Sequence, residues 1–246
     1  PSSQPVALGV IEAKAENYPP THGLQQAKIY ASVRRLNVPF VFSSNGHQFV
    51  EYDNFTGLTH AARPMSEFPK PTELRERYEQ HKGFNLDSPA AKPLVTPYSK
   101  GEGGRRYYQD AAIRAVLEKI ATGEKRALLT LATGAGKTYI AVNLLKRIAD
   151  SGQLGRALFL CDRDELRSQG LGAFQDEFGS DAAAASTNNP EKNARLLVAT
   201  YQTLGVDTEE GDASFLTRNY PENYFSHIII DECHRSAWGK WSEVLN

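Results

Sequence analysis

A glycine-containing loop, TGAGKT at residues 133–138, lies between an apolar run at 127–131 and a helical pattern that begins near Tyr139. The apolar run predicts a buried strand, so the loop joins a strand to a helix. In such a loop, backbone N–H groups curl around phosphate oxygens, and the helix N-terminus adds the positive end of its dipole. The sequence therefore predicts a phosphate-binding site, although Leu131 stands where the strict GxxxxGK[ST] pattern has its first glycine.

A pair of carboxylates later in the chain complements this loop. A β-branched run that ends at Ile230 is followed directly by Asp231 and Glu232. We expect Asp231 to hold Mg²⁺ through its water shell, and Glu232 to orient and deprotonate an attacking water. Thr138 is expected to ligate Mg²⁺ through its hydroxyl, and Lys137 to reach the β- and γ-phosphates. The predicted nucleotide-binding residues of the loop are Thr133, Gly134, Ala135, Gly136, Lys137 and Thr138.

The second half of the chain alternates strictly between helical and strand patterns. The predicted helices cover residues 109–122, 138–150 and 163–177, and the predicted strands cover 127–131, 157–161, 196–200 and the run ending at 230. This alternation predicts an α/β fold, in which helices cover both faces of a parallel sheet. Residues 182–193 are small and polar, which predicts an exposed loop.

The first half of the chain has a different pattern. It predicts a strand at 6–15, a helix at 23–37 and two strands at 39–44 and 48–52, joined at Asn45-Gly46 by a hairpin signal. Prolines, glycines and one short charged helix at 72–81 then predict a connector. We therefore divide the chain into a first domain at 1–62, a proline- and glycine-rich connector with a short helix at 63–104, and a second domain at 105–246.

Charge and composition exclude several classes of protein. The formal net charge of −1 provides no global basic field, so any DNA contact must come from local patches. Cys161 and Cys233 are far apart in sequence, which favours reduced thiols in a cytoplasmic protein. No apolar stretch reaches the roughly 18–20 residues of a membrane span, and we predict no membrane partner. The sequence begins without Met and ends within a helical pattern, so we expect a fragment of a longer chain.

The second half resembles superfamily 2 helicases and translocases, whose motifs I and II match the loop and the carboxylate pair. Residues 106–109 resemble the R-x-Y-Q motif that reads adenine, and a glutamine amide suits the N6 and N7 edge of that base. Residues 160–169 and 199–204 resemble motifs Ia and Ib, which touch the DNA backbone in the family. The resemblance implies a RecA-like domain that binds ATP and Mg²⁺, with ATP contacts from Arg106, Tyr108 and Gln109 and DNA contacts from Arg163, Thr200 and Gln202.

The arginine finger of such a motor belongs to a second RecA-like domain, whose motifs this sequence does not contain. An arginine finger contributes orders of magnitude in rate. We therefore expect this chain by itself to bind ATP but to hydrolyse it slowly.

The first domain contains a possible nuclease signature. Glu12 and Lys14 project from one face of the predicted strand. They resemble the E-x-K half of a PD-(D/E)xK nuclease, in which Glu12 would ligate a divalent metal and Lys14 would stabilise the nucleophile or the pentacovalent phosphate. Gln26 and Tyr30 share one helix face, as in RecB-like nucleases, which implies supporting catalytic roles. The residues alone are also consistent with the solvated face of an edge strand.

One nuclease residue is missing from the sequence. The metal-binding Asp of that family usually lies one strand upstream of the E-x-K pair. No acidic residue precedes Glu12, so we expect this Asp before Pro1.

The two halves together resemble the motor (R) subunit of type I restriction enzymes. The resemblance implies an ATP-dependent translocase on double-stranded DNA joined to a Mg²⁺-dependent endonuclease that cleaves unmodified foreign DNA. Its implied partners are a methyltransferase (M) subunit and a specificity (S) subunit. Two alternatives remain: a non-catalytic DNA-binding or docking module, and another superfamily 2 repair or restriction translocase with a degenerate nuclease domain. In type III enzymes the nuclease usually follows the motor, which argues against that member of the second group.

Overall fold

A computed structural model describes residues 6–33, 35–98, 106–186, 188–203 and 218–233. The chain forms two compact units, residues 1–130 and 131–246. Across the described ranges, no helix is both long and apolar enough to cross a bilayer.

The first unit is a mixed sheet with helices packed against it. Its strands are β1 (Gly9–Ala13), β2 (Phe40–Ser44), β3 (Gln48–Asp53), β4 (Leu58–Thr59) and β5 (Arg63–Pro64). Its helices are α1 (Leu24–Ala31), α2 (Pro71–Lys82), α3 (Lys92–Val95) and α4 (Tyr107–Ala121). β1 runs parallel to β2, and β3 runs antiparallel to β2, β4 and β5. The predicted order of strand, helix and hairpin is confirmed, although α1 ends at Ala31 and not near residue 37.

Hydrophobic residues on alternating positions of the sheet explain this arrangement. Val41 and Val50 face one side, where they pack with the buried stripe of α1 formed by Leu24, Ala27 and Ala31. The opposite side carries aromatic residues, and Phe42, Phe49 and Phe68 have ring centroids 4.7 to 6.1 Å apart. Gly46 has φ +90° in the hairpin, a conformation that favours glycine.

The predicted connector packs closely on the first unit. Arg77 of α2 donates to Glu51 at 2.6 Å and to Asp53 at 2.9 Å, and Arg63 donates to Glu51 at 2.7 Å. Glu51 is 1% exposed, so its charge is balanced by the two guanidinium groups. Ion pairs to the buried Glu51 carboxylate therefore hold Arg63 and α2 of the connector against β3.

Helix α4 also belongs to the first compact unit, whereas the sequence analysis assigned it to the domain at 105–246. The Tyr78 hydroxyl donates to Glu118 of α4 at 2.7 Å, and Lys82 donates to the same carboxylate at 2.6 Å. Arg114 of α4 donates to the carbonyl oxygens of Ala7 and Leu36 at 2.9 and 2.6 Å. Sequence periodicity identified the helix but could not show these partners.

The second unit is a parallel sheet with strand order β7-β8-β6-β9. Its elements are α5 (Lys137–Asp150), β6 (Ala157–Cys161), α6 (Asp164–Phe178), β7 (Ala182–Ala184), β8 (Leu196–Thr200) and β9 (His227–Ile230). β6 and β8 have the predicted bounds, and both are buried along their whole length. Continuous burial is expected of a parallel strand with helices on both faces. The parallel α/β fold class predicted for this half is therefore confirmed.

Two predictions about this half are wrong. Residues 127–131 form no strand: they pair with none of the described strands, and Leu128 is 74% exposed. An apolar run becomes a strand only if a partner supplies the ladder hydrogen bonds, which its composition cannot show. The predicted exposed loop at 182–193 begins with β7, which pairs with β8. Ala182 in β7 and Ala185 just after it are both buried. Alanines are small enough to occupy this edge of the sheet. Because alanine is only weakly hydrophobic, the sequence pattern did not predict a strand here.

Candidate functional site

The loop before α5 has the geometry expected of a phosphate-binding turn. Gly134 and Gly136 have φ values of +77° and +81°, which favour glycine. Gly136 caps α5, which begins at Lys137. The first N–H groups of any helix have no acceptor within that helix, so they can bind an anion. The loop therefore presents helix N–H groups, an ammonium and the hydroxyl of Thr138 in one short segment.

The carboxylate pair follows the carboxyl end of β9. The N–H of Asp231 donates to Leu160 of β6 at 2.8 Å, and the Tyr201 hydroxyl donates to the carbonyl of Asp231 at 3.1 Å. Glu232 has φ +52°, a left-handed conformation that non-glycine residues rarely adopt. Conformations of this kind cost on the order of 1–3 kcal/mol and are maintained by their surroundings. The hydrogen bonds of Asp231 hold the chain at this turn. Tyr201 was not predicted as part of the site, because a tyrosine that donates to a backbone carbonyl has no recognisable sequence pattern.

Lys137 and Glu232 form an ion pair within the second unit. The distance from Lys137 Nζ to Glu232 Oε1 is 2.6 Å, and the two side chains are 30% and 26% exposed. The loop and the carboxylate pair are separated by most of the second half of the sequence. The structure thus brings together the residue predicted to bind phosphate and the residue predicted to activate water.

Burial raises the pKa of Asp231, and the neighbouring Glu232 charge raises it further. Lys137 and the Glu232 N–H, which donates to Asp231 Oδ1 at 3.1 Å, oppose this shift. A cation placed beside Asp231 would favour its charged form. Burial beside Glu232 therefore makes the charged form of Asp231 costly in the absence of a cation.

The residues present fit one Mg²⁺ ion bound together with a nucleotide. Mg²⁺ is usually held by one or two carboxylates, with phosphate and water oxygens as the other ligands. Asp231 and the Thr138 hydroxyl can supply oxygen ligands of this type. No group of three or more His, Cys, Asp or Glu side chains in the described ranges could hold a metal by itself. The donor set therefore suits a metal that arrives with phosphates.

The predicted DNA-contacting residues lie at or just after the carboxyl ends of β6 and β8. Arg163 and Gln202 are exposed. Thr200 is 1% exposed, and its hydroxyl accepts the Thr203 N–H at 3.2 Å and lies 2.9 Å from the Thr203 hydroxyl. Thr200 therefore stabilises its own turn in this structure, and Arg163 and Gln202 are the accessible members of the set.

A cleft of about 230 Å³ lies beside Glu232. It is lined by Asp162, Arg163, Glu165, Leu166 and Glu232. A larger cleft of about 370 Å³ lies at the opposite, amino end of the strands. There Arg195 donates to the carbonyl of Leu154 at 2.8 Å, and Arg156 lies over the Tyr224 ring at 4.7 Å. The arginines of the larger cleft therefore stabilise the fold, and the smaller cleft is the one next to the candidate chemistry.

The predicted adenine-reading residues lie at the start of α4 in the first unit. Gln109 is 7% exposed, and its amide oxygen accepts the Arg106 N–H at 3.2 Å. Arg106 donates to the Tyr108 hydroxyl at 2.9 Å. Gln109 therefore caps the first turn of α4, a role that the sequence analysis did not anticipate.

The predicted nuclease residues form one chain of hydrogen bonds in the first unit. Lys14 Nζ lies 2.8 Å from Glu12 Oε1 and donates to the Gln26 amide oxygen at 3.0 Å. The Gln26 amide nitrogen donates to the Tyr30 hydroxyl at 2.8 Å. Glu12 and Lys14 are 18% and 23% exposed, so both can be reached from solvent. The structure brings all four predicted residues together.

This cluster fits only part of a metal site. Glu12 is its one carboxylate, and a single carboxylate can bind Mg²⁺ if water or phosphate oxygens complete the coordination. The metal-binding Asp of the nuclease family has no counterpart among the residues that precede Glu12 in this sequence. The nuclease assignment of the first unit therefore remains a prediction.

Comparison with known proteins identifies the family. Residues 103–246 match the family described as "Type III restriction enzyme, res subunit". The chain is 34% identical over 98% of its length to the type I restriction enzyme EcoAI endonuclease subunit of Escherichia coli, and 31% identical over 82% to the EcoKI endonuclease subunit of E. coli strain K12. It spans 30% and 18% of these two relatives.

A solved structure agrees with this assignment. A fragment assigned to the HsdR subunit of a type I restriction enzyme from Vibrio vulnificus YJ016 matches 97% of the chain, with 32% identity and a TM-score of 0.73, and the match covers 40% of that chain. The family match is confined to the second half, whereas the EcoAI subunit and the solved fragment match nearly all of the chain. The chain therefore belongs to the family of type III restriction enzyme res subunits and is a homologue of the endonuclease subunits of type I restriction enzymes.

Proposed function

We propose that this chain is part of an ATP-dependent translocase and Mg²⁺-dependent endonuclease subunit of a type I restriction-modification complex. The complete subunit would act in the cytoplasm with M and S subunits and would cleave unmodified foreign double-stranded DNA. The observation that carries the motor half is the Lys137–Glu232 pair, which joins the glycine loop to the end of a parallel strand.

The geometry of the second unit supports ATP hydrolysis. The N–H groups at the start of α5 and the Lys137 ammonium would hold the β- and γ-phosphates. When bound, Mg²⁺ would neutralise charge that develops on the phosphates, and Asp231 and Thr138 would hold it. Glu232 would orient a water and accept its proton at a carboxylate oxygen. Because Lys137 donates a hydrogen bond to Glu232 here, phosphate oxygens would compete with Glu232 for the Lys137 ammonium.

The residues assigned to the base have a separate role in this proposal. Tyr108 and Arg106 would stack on adenine or contact its edge, and Gln109 would form hydrogen bonds with it. Gln109 already accepts the Arg106 N–H, so base recognition would use its second acceptor position or its amide hydrogens.

The geometry of the first unit supports phosphodiester cleavage. Glu12 would hold the divalent ion, and the Lys14 ammonium would stabilise the negative charge that develops on the phosphate. Gln26 and Tyr30 would orient Lys14 through the hydrogen-bond chain described above. A divalent ion held by Glu12 would take its remaining ligands from water and phosphate oxygens.

The second candidate for the first unit is a non-catalytic docking module. One observation favours it: Glu12, the single carboxylate of the cluster, is already bonded to Lys14. In that case the pair would be a structural ion pair on β1, and the first unit would hold the motor to its partners. The remaining alternative is another superfamily 2 repair or restriction translocase with a degenerate nuclease domain. Its type III members would share the family of the second half, but their nuclease usually follows the motor, whereas the nuclease candidate here precedes it.

The proposed function is tested with the full-length subunit reconstituted with its M and S partners. Unmodified plasmid, ATP and Mg²⁺ should give DNA-stimulated ATP hydrolysis, displacement of a third strand bound downstream of the recognition site, and double-strand cleavage. The same plasmid methylated by the M and S subunits should give none of the three. Strand displacement that needs no ATP, or cleavage of methylated DNA, would contradict the proposal.

A further inference from the structure

Gly23, the residue before α1, lies against both members of the Glu12–Lys14 pair. A Cβ atom at Gly23 would lie 2.6 Å from Glu12 Cγ, 2.8 Å from Ser43 Oγ and 3.0 Å from Lys14 Cε. Carbon atoms that are not bonded pack at about 3.5–4.0 Å, so even a methyl group would displace these side chains. Gly23 has φ −89° and ψ −5°, which other residues also adopt. Glycine is therefore needed at position 23 because a side chain would clash with its neighbours, and not because of the backbone conformation.

Ser43 fixes Gly23 in this position. The Gly23 N–H donates to Ser43 Oγ at 3.1 Å, and Ser43 is fully buried. Ser43 is also the partner of Glu12 in the ladder between β1 and β2. One hydroxyl therefore ties the start of α1 to the strand position that faces Glu12. A buried N–H left without an acceptor is costly, so this bond resists separation of α1 from the sheet.

The position of α1 in turn decides where Lys14 points. Gln26 lies in the first turn of α1, and its amide oxygen accepts from Lys14 Nζ. A displacement of α1 away from β1 would move Gln26 away from Lys14 and leave its ammonium with Glu12 alone. Gly23 and Ser43 therefore affect the Glu12–Lys14 pair in two ways. They contact its side chains directly, and they hold α1 so that Gln26 stays within hydrogen-bond distance of Lys14.

We propose that Gly23 and Ser43 are positioning residues of the nuclease site. They hold the start of α1 in contact with β1 and thereby fix the orientation of Glu12 and Lys14 toward the scissile phosphate. Neither residue is assigned a contact with DNA or metal. This inference rests on the proposed nuclease function.

The first test does not depend on cleavage. Hydrogen exchange at the Gly23 amide is measured in the full-length subunit by mass spectrometry with fragmentation. Ser43→Ala removes the acceptor and should accelerate exchange by about tenfold or more. Ser43→Cys keeps a weak acceptor and should give an intermediate rate. Exchange in Ser43→Ala at the wild-type rate would overturn the proposal.

The second test compares Gly23→Ala and Ser43→Ala with Gly172→Ala in the reconstituted complex. A Cβ at Gly172 would meet nothing within 4 Å, so this variant controls for the glycine substitution itself. Gly23→Ala should lower plasmid cleavage at least about tenfold, because small displacements of catalytic groups cost about that much or more. DNA-stimulated ATPase should stay near wild type, the unfolding midpoint should fall only modestly, and the Mg²⁺ concentration for half-maximal cleavage should rise.

The possible outcomes distinguish a failure of the positioning role from a failure of the proposed nuclease function. Wild-type cleavage and Mg²⁺ dependence in Gly23→Ala would overturn the positioning role. If Gly23→Ala fails to fold, Ser43→Ala decides the same question, since it removes atoms and adds none. A wild-type complex that translocates but never cleaves would instead contradict the proposed nuclease, while the exchange measurement still reports whether Ser43 holds Gly23.

Discussion

Lys137 Nζ lies 2.6 Å from Glu232 Oε1, although 95 positions separate the two residues along the chain. One residue begins α5 and the other follows β9, so the contact exists only because the parallel sheet brings these two ends together. In the proposed hydrolysis cycle the two side chains have different targets, a phosphate and a water. The ion pair therefore competes with the nucleotide for the Lys137 ammonium.

This competition predicts that Glu232→Gln binds nucleotide more tightly but does not turn it over. The amide lacks the charge that holds Lys137, so affinity for a fluorescent ATP analogue should rise several-fold. Loss of a general base should lower ATPase by roughly 10²–10⁴-fold. Asp150→Asn, which removes the partner of Lys146 on α5, is the control and should alter neither quantity. Weaker nucleotide binding in Glu232→Gln would contradict the competition.

Lys137→Ala should abolish ATP-dependent strand displacement and, with it, cleavage. The variant loses the ammonium that neutralises the phosphates, and DNA-stimulated ATPase should fall by about 10²-fold or more. Lys146→Ala lies on the same helix and removes another lysine, so it should retain wild-type ATPase. Equal losses in the two lysine variants would indicate damage to α5 and not loss of a phosphate ligand.

The raised pKa of Asp231 predicts a stability change with a defined pH dependence. The pKa of Asp231 in the folded state lies above its ordinary value of 3.8. The charged carboxyl therefore lowers the stability of the fold at pH values above the folded-state pKa. This loss of stability is absent at pH values below the pKa of the unfolded state. Asp231→Asn should therefore raise the unfolding midpoint at pH 7, and the gain should shrink as the pH falls toward 4. Thermal unfolding across this range measures the effect. A gain that grows toward acid would contradict the sign of the shift.

The buried ion pairs of α2 predict a large stability effect in the first unit. Arg77→Met leaves Glu51 with Arg63 alone and removes the guanidinium that pairs with Asp53. It should lower the free energy of unfolding by about 3–5 kcal/mol, because a buried carboxylate loses its cation. Arg75→Gln on the same helix removes more solvent-exposed pairs with Glu79 and Asp87, and it should cost about 0–1 kcal/mol. Chemical denaturation of both variants provides the comparison. A small effect of Arg77→Met would mean that the predicted connector is only loosely attached.

In the second half, the strands predicted correctly from the sequence are those whose local hydrophobic pattern matches their burial in the folded sheet. β6 and β8 are continuous apolar runs, and full burial in a parallel sheet is what such runs need. The run at 127–131 has the same composition but forms no strand, because no described strand pairs with it. Whether a segment pairs with another strand depends on residues that are distant in sequence. Local strand propensity and hydrophobic periodicity therefore cannot predict it.

The candidate sites show the same limit. The type of each functional residue could be inferred from its motif, and the E-x-K and Q-x-x-x-Y patterns do meet in one hydrogen-bond chain. The motif for Gln109 did not reveal that its amide caps α4, nor the motif for Thr200 that its hydroxyl is buried. Gly23 escaped notice because its backbone angles are ordinary, and only the contact with Glu12 explains the glycine.

The central claim is that the chain joins a motor to a separate nuclease, and Glu12→Ala tests it most directly. The variant is compared with wild type in the complex reconstituted with M and S subunits, ATP and Mg²⁺, with plasmid cleavage and ATPase followed in the same reaction. Glu16→Ala is the matched control, since Glu16 lies just beyond β1 and is 79% exposed in its pair with His47. We predict that Glu12→Ala loses cleavage and keeps DNA-stimulated ATPase, while Glu16→Ala keeps both. Cleavage at the wild-type rate by Glu12→Ala would contradict the account and leave the first unit as a docking module.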